Sequence, residues 1–348
     1  MSRDIDILSL TYLEFLSITK ERFNRKEYHA KATYRHIFKR GNLNFKSLEE
    51  YGKSGNLAEV ISSQIVLPTV RVQDIVKTDV TKFTVELFDS SVIESVIIPE
   101  KSGNRTTLCV SSQVGCRMGC SFCETAKLGL KRNLTTSEIV AQVYLAKHQF
   151  SANITNIVFM GMGEPLDNFE SVVKALEVLS QQHGFDIPYR RMTVSTSGVV
   201  KGINELVERG LSQKVKLAIS LNGASDAIRQ KIMPITYRYS IDELKESLKS
   251  YPLPKGGLFF IEYVLLKGVN DSPNDANMII EFCKGINVMI NLIPYNGVDY
   301  NTPSFEDINI FKDRLFKSGL FISVRTSRGG EISAACGQLA AKKGQSKL

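Results

Sequence analysis

Short apolar runs alternate with helical patterns through the middle of the chain. The apolar runs predict six strands, at 106–111, 155–160, 191–196, 215–220, 258–266 and 287–293. Between them, helical spacing predicts helices at 136–150, 168–182, 199–209, 225–250 in two pieces, and 274–284. Strands that alternate with crossover helices form parallel sheets with right-handed connections. Six such units are too few for a closed eight-stranded barrel. We therefore predict an α/β fold, an open partial (βα)6 barrel with ligands at the carboxyl ends of its strands.

The flanking segments have other patterns. Apolar residues recur at helical spacing in 5–19, 26–39 and 57–64, whereas 67–99 contains β-branched runs typical of a small sheet. A further helix at 304–319 and a strand at 320–325 precede the C-terminal tail. These patterns divide the chain into an N-terminal helical accessory domain (1–65), a small β-rich linker region (66–104), the partial barrel (105–300) and a C-terminal extension (301–348).

The composition is that of a soluble protein with reduced thiols. The N-terminus has neither the apolar segment nor the cleavage site of a signal peptide, and the most apolar run, 257–266, is interrupted by Glu262. Six cysteines in 348 residues, three of them at metal-ligand spacing, are typical of a cytosolic protein rather than a secreted disulfide framework. We expect a cytoplasmic protein that does not enter a membrane.

The formal net charge of +8 is concentrated near the N-terminus. The span from Lys20 to Lys46 contains nine basic and two acidic residues and therefore carries +7. Such an excess indicates a polyanionic partner. The alternative is a solvated helix face, since runs of charge often serve solubility alone.

The densest chemical motif directly follows the first barrel strand. Cys116, Cys120 and Cys123 have C-x3-C-x2-C spacing. Three thiolates can hold a [4Fe-4S] cluster with one iron left open to a small molecule, whereas closed zinc and ferredoxin sites usually recruit a fourth ligand. This spacing is familiar from radical S-adenosylmethionine (SAM) enzymes, in which the open iron binds the cofactor. Structural zinc, disulfides and chance clustering are the alternatives.

Polar and glycine-rich segments follow the other barrel strands. The residues that we select are Gly163 and Glu164 after the second strand, Ser195 in the third, Ser220, Leu221 and Asn222 at the end of the fourth, and Asn296 after the sixth. Glycine lets a backbone approach a ligand closely, and a carboxylate pairs well with an ammonium group such as that of SAM. Each segment alone could be an ordinary turn. Their convergence on one edge of the sheet predicts a binding site.

Two further cysteines are candidates for covalent chemistry. Cys336 lies among small residues in Ala-Ala-Cys-Gly-Gln-Leu, and its thiolate would attack a soft electrophile such as a sulfonium methyl group. Cys109 ends the first barrel strand. For each of them the alternative is an inert buried thiol.

Together these motifs resemble one family, the radical SAM adenine methyltransferases. These enzymes modify C2 of an adenosine in large-subunit rRNA and, in some members, of a tRNA adenosine beside the anticodon. The likeness is densest at 109–123, 159–166, 195–198, 220–222, 291–296 and 334–339. A sister group, the antibiotic-resistance enzymes that methylate C8 of the same rRNA adenosine, shares nearly all of these motifs. The Gly-Glu-Pro segment at 163–165 favours the C2 group.

The resemblance implies a barrel of the radical SAM type and a role for each site residue. Cys116, Cys120 and Cys123 would hold one [4Fe-4S] cluster, and SAM would be held by Gly163, Glu164, Ser195, Ser220, Leu221, Asn222 and Asn296. Two SAM molecules serve each turnover. The family's chemistry implies that the first would methylate Cys336, that a radical made from the second would remove hydrogen from the S-methyl group, and that the resulting carbon radical would add to adenine. Cys109 would release the product by forming a disulfide bond with Cys336, and Glu94 would accept a proton.

The resemblance also implies partners. These are large-subunit rRNA, tRNA, and a one-electron donor such as flavodoxin, and we expect the enzyme to be a monomer. A different class of protein, a non-enzymatic RNA-binding protein with a structural cluster, would leave Cys109 and Cys336 dispensable. One departure from the family pattern is Glu124, which stands where alanine is typical. A carboxylate beside the cluster is expected to lower its reduction potential.

Overall fold

The computed structural model of the chain describes residues 4–52, 55–100, 103, 105–325 and 337–339. The strands are β1 (Ile5–Asp6), β2 (Ile65–Val66), β3 (Val70–Lys77), β4 (Thr81–Leu87), β5 (Val92–Pro99), β6 (Thr106–Cys109), β7 (Gln113–Gly115), β8 (Leu130–Asn133), β9 (Asn156–Phe159), β10 (Met192–Thr196), β11 (Lys216–Ser220), β12 (Phe259–Leu265), β13 (Val288–Pro294) and β14 (Phe321–Val324). The helices are α1 (Tyr12–Phe23), α2 (Glu27–Arg40), α3 (Gly55–Gln64), α4 (Glu124–Lys127), α5 (Thr136–His148), α6 (Phe169–Ser180), α7 (Val200–Glu208), α8 (Asp226–Ile232), α9 (Ile241–Ser250), α10 (Pro273–Cys283) and α11 (Phe305–Lys317). Within these ranges, no helix combines the length and the apolar character needed to span a membrane.

A ten-stranded sheet organises the fold, in the order β14-β13-β12-β11-β10-β9-β6-β5-β4-β3. From β6 through β9 to β14 every neighbouring pair is parallel. Helices α5, α6, α7, α10 and α11 and the pair α8 and α9 form the crossovers between these strands. The six predicted barrel strands are confirmed, and β14 adds a seventh parallel strand because α11 returns the chain alongside β13.

The β-rich segment 66–104 is not a separate small sheet. Strands β3, β4 and β5 form an antiparallel meander, and β5 pairs antiparallel with β6, the first barrel strand. In that pairing Val96 lies opposite Cys109. The meander therefore extends the barrel sheet beyond its first strand.

The N-terminal helical prediction is correct in type but wrong at its start. Residues 5–19 were expected to be helical, whereas Ile5–Asp6 pairs with Ile65–Val66 and α1 begins only at Tyr12. Ile7–Ser9 forms a short 3-10 helix. Thr11 then starts α1 with a capping box: its side chain accepts from the backbone N–H of Glu14, and the Glu14 carboxylate accepts from the backbone N–H of Thr11. The predicted helices at 26–39 and 57–64 correspond to α2 and α3.

The alternation of side chains along the strands separates the core from the barrel interior. In β12, Phe259, Ile261 and Tyr263 are buried in the core, and successive side chains of a strand point to opposite faces. Glu262 therefore faces the barrel interior, where its register neighbours are Ser220 on β11 and Asn291 on β13. Polar side chains of three adjacent strands thus meet inside the barrel.

Candidate active site

The cysteine loop connects β7 with the short helix α4. Gly115, at φ 77°, precedes Cys116, and a Cβ there would collide with the carbonyl of Gly129. This close approach allows the Cys116 N–H to donate to that carbonyl at 2.9 Å. Burial raises the pKa of the Cys116 thiol to about 12, and burial also raises that of Cys120. Both thiols are therefore neutral at physiological pH unless a cation replaces the proton.

One pocket joins this loop to the carboxyl ends of the barrel strands. Its walls include Cys116, Cys120, Cys123, Gly163, Glu164, Ser195, Ser197, Ser220, Asn222, Glu262, Asn296, Gly337, Gln338 and Leu339. The structure thus brings together all three proposed cluster ligands and six of the seven proposed SAM residues. The exception is Leu221, which is fully buried. Its backbone N–H donates to the carbonyl of Glu262 and its own carbonyl accepts from Arg229.

Glu164 forms the buried wall of the pocket. Its carboxylate accepts from the backbone N–H of Ser197 at 2.7 Å and from the Ser197 hydroxyl at 2.8 Å. Burial raises the pKa of Glu164, and the hydrogen bonds from Ser197 oppose this shift. Gly163, at φ 102°, has no space for a Cβ because Gln113 lies against it. The glycine therefore allows the Glu164 N–H to donate to the Gln113 side chain at 2.9 Å.

Asn222 lies in the pocket, but its side chain is also engaged in the fold. Its φ is 53°, in the left-handed region, and its amide oxygen accepts from the Val264 N–H at 2.8 Å. Asn270, which sequence reasoning missed, holds the backbone at Asn222 in place from the buried side. It donates to the carbonyls of Asn222 and Val264 at 2.7 Å each and accepts from the Leu266 N–H at 2.7 Å. In sequence Asn270 has the appearance of an ordinary turn residue.

Arg229 is a second residue that the sequence did not reveal. Its side chain is only 1% exposed and donates to the carbonyls of Ser197 at 2.7 Å and Ser220 at 3.2 Å, to that of Leu221, and to the Thr236 hydroxyl at 3.1 Å. It therefore ties the ends of β10 and β11 together. An arginine within a short amphipathic helix gives no sign in sequence that it points inward.

Glu262 was noticed in sequence only as a charge that interrupts an apolar run. One carboxylate oxygen accepts from Asn291 at 2.9 Å and pairs with Arg325 at 3.2 Å. The other oxygen, Oε2, is buried and has no hydrogen-bond partner among the described residues. Glu262 lines both the main pocket and a second cavity inside the barrel. Burial raises its pKa.

The segment Gly337–Leu339 reaches the cysteine loop. The Gly337 carbonyl accepts from the Glu124 N–H at 2.8 Å, and the Leu339 carbonyl accepts from the Thr125 hydroxyl at 2.5 Å. Gln338 donates to the carbonyl of Asn296 at 2.7 Å. Cys336 itself lies outside the described residues. Its chain neighbour Gly337, however, forms part of the pocket wall.

The other two predicted catalytic residues occupy different places. Cys109 is buried at the end of β6 and lines the inner cavity together with Glu262 and Leu339. Glu94, on β5, is 4% exposed and pairs with Lys82 at 3.2 Å. Glu94 is not among the residues that line the main pocket. The predicted disulfide bond between Cys109 and Cys336 stays a prediction, because Cys336 is not described.

Glu124 has a cationic partner beside it. Lys127 donates to Glu124 at 2.6 Å and to Asp299 at 2.7 Å, so one ammonium group serves two carboxylates. Ser121 and Tyr300 hydroxyls meet at 2.6 Å nearby. The departure from alanine at position 124 therefore adds an ion-paired contact between the cysteine loop and the loop after β13.

A parallel partial barrel with a three-cysteine loop at the carboxyl ends of its strands defines a radical SAM protein, and a family model described as Radical SAM superfamily matches residues 110–279. The chain is 40% identical over 330 residues to the probable dual-specificity RNA methyltransferase RlmN of Aquifex aeolicus (strain VF5), covering 92% of this chain and 94% of that protein. It is 40% identical to the dual-specificity RNA methyltransferase RlmN of Lawsonia intracellularis (strain PHE/MN1-00), covering 96% of each. The crystal structure of a radical SAM methyltransferase from Sphaerobacter thermophilus superimposes with a TM-score of 0.87 at 35% identity, covering 97% of this chain and 100% of that one.

The chain belongs to the RlmN family of radical SAM RNA methyltransferases. The family implies a [4Fe-4S] cluster and SAM. The donor set fits both groups. Three thiols border one pocket, and in the described part of the chain no three His, Cys, Asp or Glu side chains are placed to bind a single ion. A [4Fe-4S] cluster does not require the three thiols to converge on one ion, because each thiolate binds a different iron. The buried carboxylate of Glu164 and the polar strand ends suit an amino acid and a ribose.

Proposed function

We propose that this chain methylates C2 of an adenosine in large-subunit rRNA, and of a tRNA adenosine as well. The observation that carries the proposal is the shared pocket: the three-cysteine loop, the strand ends and Gly337–Leu339 form its walls. Relatives that match nearly the whole chain are named dual-specificity RNA methyltransferases, which supports two RNA substrates. Cys336, adjacent to Gly337, is the proposed methyl carrier.

The residues of the chain divide the work. When bound, the cluster and SAM supply a carbon-centred radical, which a methyl transfer to an unactivated aromatic C–H carbon requires. Cys116, Cys120 and Cys123 would hold the cluster. Glu164, held by Ser197, would orient the cofactor's ammonium group, and Asn222 and Asn296 would contact its polar edges. These side chains would hold the cofactor in the pocket that Gly337–Leu339, the described segment next to Cys336, also lines.

Cys109 and Glu94 are proposed to act after the carbon–carbon bond forms. Cys109 lines the same cavity as Leu339, three residues beyond Cys336. This supports attack of the Cys109 thiolate on the Cys336 sulfur of the adduct. An S–S bond forms and the S–C bond to the RNA breaks; the electron pair of that bond goes to the carbon, which takes up a proton and becomes the methyl group. Glu94 is proposed as the proton acceptor, and its carboxylate pairs with the Lys82 ammonium at 3.2 Å. Replacement of Cys109 by alanine is expected to trap an enzyme–RNA adduct that survives denaturation. An active preparation that accumulates no adduct would contradict the role of Cys109.

The N-terminal domain is proposed to bind RNA phosphates. Among the basic residues of α2 and its start, Lys26 and Arg35 are exposed and Lys31 is half-buried. Lys39 and Lys46, in contrast, pair with Asp186 and Glu59. Charge reversal of the first three is expected to weaken RNA binding and to flatten its salt dependence, because each phosphate contact releases counterions. Equal affinity of variant and wild type at physiological salt would leave this span as a solvated surface.

Localisation, assembly and electron supply are also proposals. We propose a cytoplasmic monomer that takes electrons from a reduced flavodoxin-like protein. The division into an accessory domain (1–65), a β-rich region (66–104), the barrel (105–300) and an extension (301–348) remains our proposal for the separate roles.

The direct experiment is product identification. The reconstituted enzyme is incubated with SAM, reductant and rRNA or tRNA fragments, and the nucleosides of the digested RNA are analysed by mass spectrometry. 2-Methyladenosine is the expected product. 8-Methyladenosine would assign the chain to the chemistry of the sister group, and RNA binding without methylation would favour a non-enzymatic RNA-binding protein.

A further inference from the structure

A buried cation, the guanidinium of Arg229, has no charged hydrogen-bond partner among the described residues. Arg229 is 1% exposed, and the four acceptors of its guanidinium are the Ser197, Ser220 and Leu221 carbonyls and the Thr236 hydroxyl. All four are neutral. A buried charge usually requires a counter-charge, because neutral hydrogen bonds replace only part of its hydration.

The nearest acidic side chain on the same helix does not fill this role. Asp226 has one carboxylate oxygen engaged as an acceptor from the Ile241 N–H at 2.8 Å. Burial lowers the pKa of Arg229 to about 10, and the opposing effects come first from Cys120 and then from Asp226. Arg229 thus remains protonated at neutral pH.

Helix α8 brings this charge to the cysteine loop. The Ser121 N–H donates to the carbonyl of Ile232, the last residue of α8, at 3.0 Å. Cys120 packs against a small apolar cluster that includes Ile232 and Met233, three and four residues after Arg229. Arg229 is not among the residues that line the main pocket, so its role there is electrostatic rather than one of direct contact.

We propose that Arg229 is a positioning residue whose buried positive charge stabilises the reduced state of the iron–sulfur cluster. The step is the transfer of one electron from a one-electron reductant to the cluster, with no proton transferred and no bond broken. The added electron increases the negative charge of the thiolate-bound cluster. A cation in a water-excluded site stabilises that charge more strongly than it would in solvent. The inference rests on the proposed cluster at Cys116, Cys120 and Cys123.

The test is a redox titration of the reconstituted cluster, followed by its electron paramagnetic resonance signal, with dithionite and mediators. Arg229→Gln removes the charge. The equilibrium constant for reduction is expected to fall about tenfold, which is 59 mV for a one-electron couple. Arg229→Lys retains the charge and is expected to keep the wild-type potential. Arg238→Gln removes an exposed arginine from the same region and should also leave it unchanged.

A second pair of variants keeps the arginine in place. Thr236→Asp introduces a carboxylate at the position of the Thr236 hydroxyl and so neutralises the charge of Arg229. The hydrogen bonds from Arg229 to the strand-end carbonyls remain in this variant. It is expected to lower the potential as Arg229→Gln does, whereas Thr236→Val, which removes only one hydrogen bond, should not. The two Thr236 variants therefore test the effect of the Arg229 charge on the reduction potential even where Arg229→Gln fails to fold.

The outcomes separate this inference from the proposed function. Unchanged potentials in Arg229→Gln and Thr236→Asp, at wild-type iron content, would overturn the inference and leave Arg229 as a structural tie between β10 and β11. A wild-type chain that binds no cluster would instead overturn the proposed function.

Discussion

Replacement of Asn270 by alanine tests how the turn beneath the pocket is held. The Asn270 side chain is fully buried and makes three hydrogen bonds of 2.7 Å, to the carbonyls of Asn222 and Val264 and from the N–H of Leu266. Alanine would leave three backbone groups without this partner, those of Asn222 and Leu266 buried and that of Val264 half-buried. Each such group costs about 1–3 kcal/mol. We expect a total loss of about 3–5 kcal/mol in the free energy of unfolding, after local relaxation.

The assay is a guanidinium titration followed by far-ultraviolet circular dichroism, with S-adenosylhomocysteine binding measured by calorimetry. Asn287→Ala is the matched control: Asn287 is exposed and makes one hydrogen bond, to the Gly257 carbonyl at 2.6 Å. The control should lose less than about 1 kcal/mol. Asn270→Ala should also bind the ligand more weakly, because Asn222 loses its support. A loss of stability no larger than that of the control would refute the reasoning.

Two other substitutions test the buried polar contacts. Hydrogen bonds from Arg132 hold the pKa of Asp89 well below its usual value of 3.8. A carboxyl group whose pKa is lower in the folded than in the unfolded chain stabilises the folded state at any pH above its pKa in the unfolded chain. This contribution is lost as the pH falls through its pKa in the folded chain. Arg132→Met should therefore be less stable than wild type at neutral pH, and the difference should shrink below about pH 4; a constant difference would contradict it. Ser197→Ala removes the hydroxyl that donates to Glu164, a hydrogen bond to a charged group worth about 1.5–3 kcal/mol. It should weaken S-adenosylhomocysteine binding about tenfold, whereas Ser180→Ala, on the outside of α6, should bind like wild type.

The parallel part of the fold was predictable because its signals are local. Each barrel strand is a short apolar run, the crossovers contain helical patterns, and the alternation of the two defines the topology. The start of α1 was predicted wrongly because apolar residues at 5–10 continue the helical spacing, and only the Thr11 cap and the pairing of Ile5 with Ile65 end it. Pairing over sixty residues leaves no local pattern.

The candidate site was predictable where chemistry and chain position agree. Cysteine spacing and polar residues at strand ends are both readable from sequence, and the structure places nearly all of them in one pocket. Arg229, Glu262 and Asn270 were missed because their roles depend on the direction of the side chain. A charged residue that points inward looks in sequence like one that points to solvent. Leu221 shows the converse, since a residue in a binding motif turns its side chain into the core.

The central claim is methylation at C2 of adenosine, and isotopic labelling tests it most directly. RNA substrates are prepared with adenosine deuterated at C2 or at C8 and incubated with the reconstituted enzyme, SAM and reductant. The mass of the methyladenosine then shows which deuterium was replaced. We predict loss of the label from the C2-deuterated substrate and its full retention in the C8-deuterated one. Retention of the C2 label with loss of the C8 label would contradict the account.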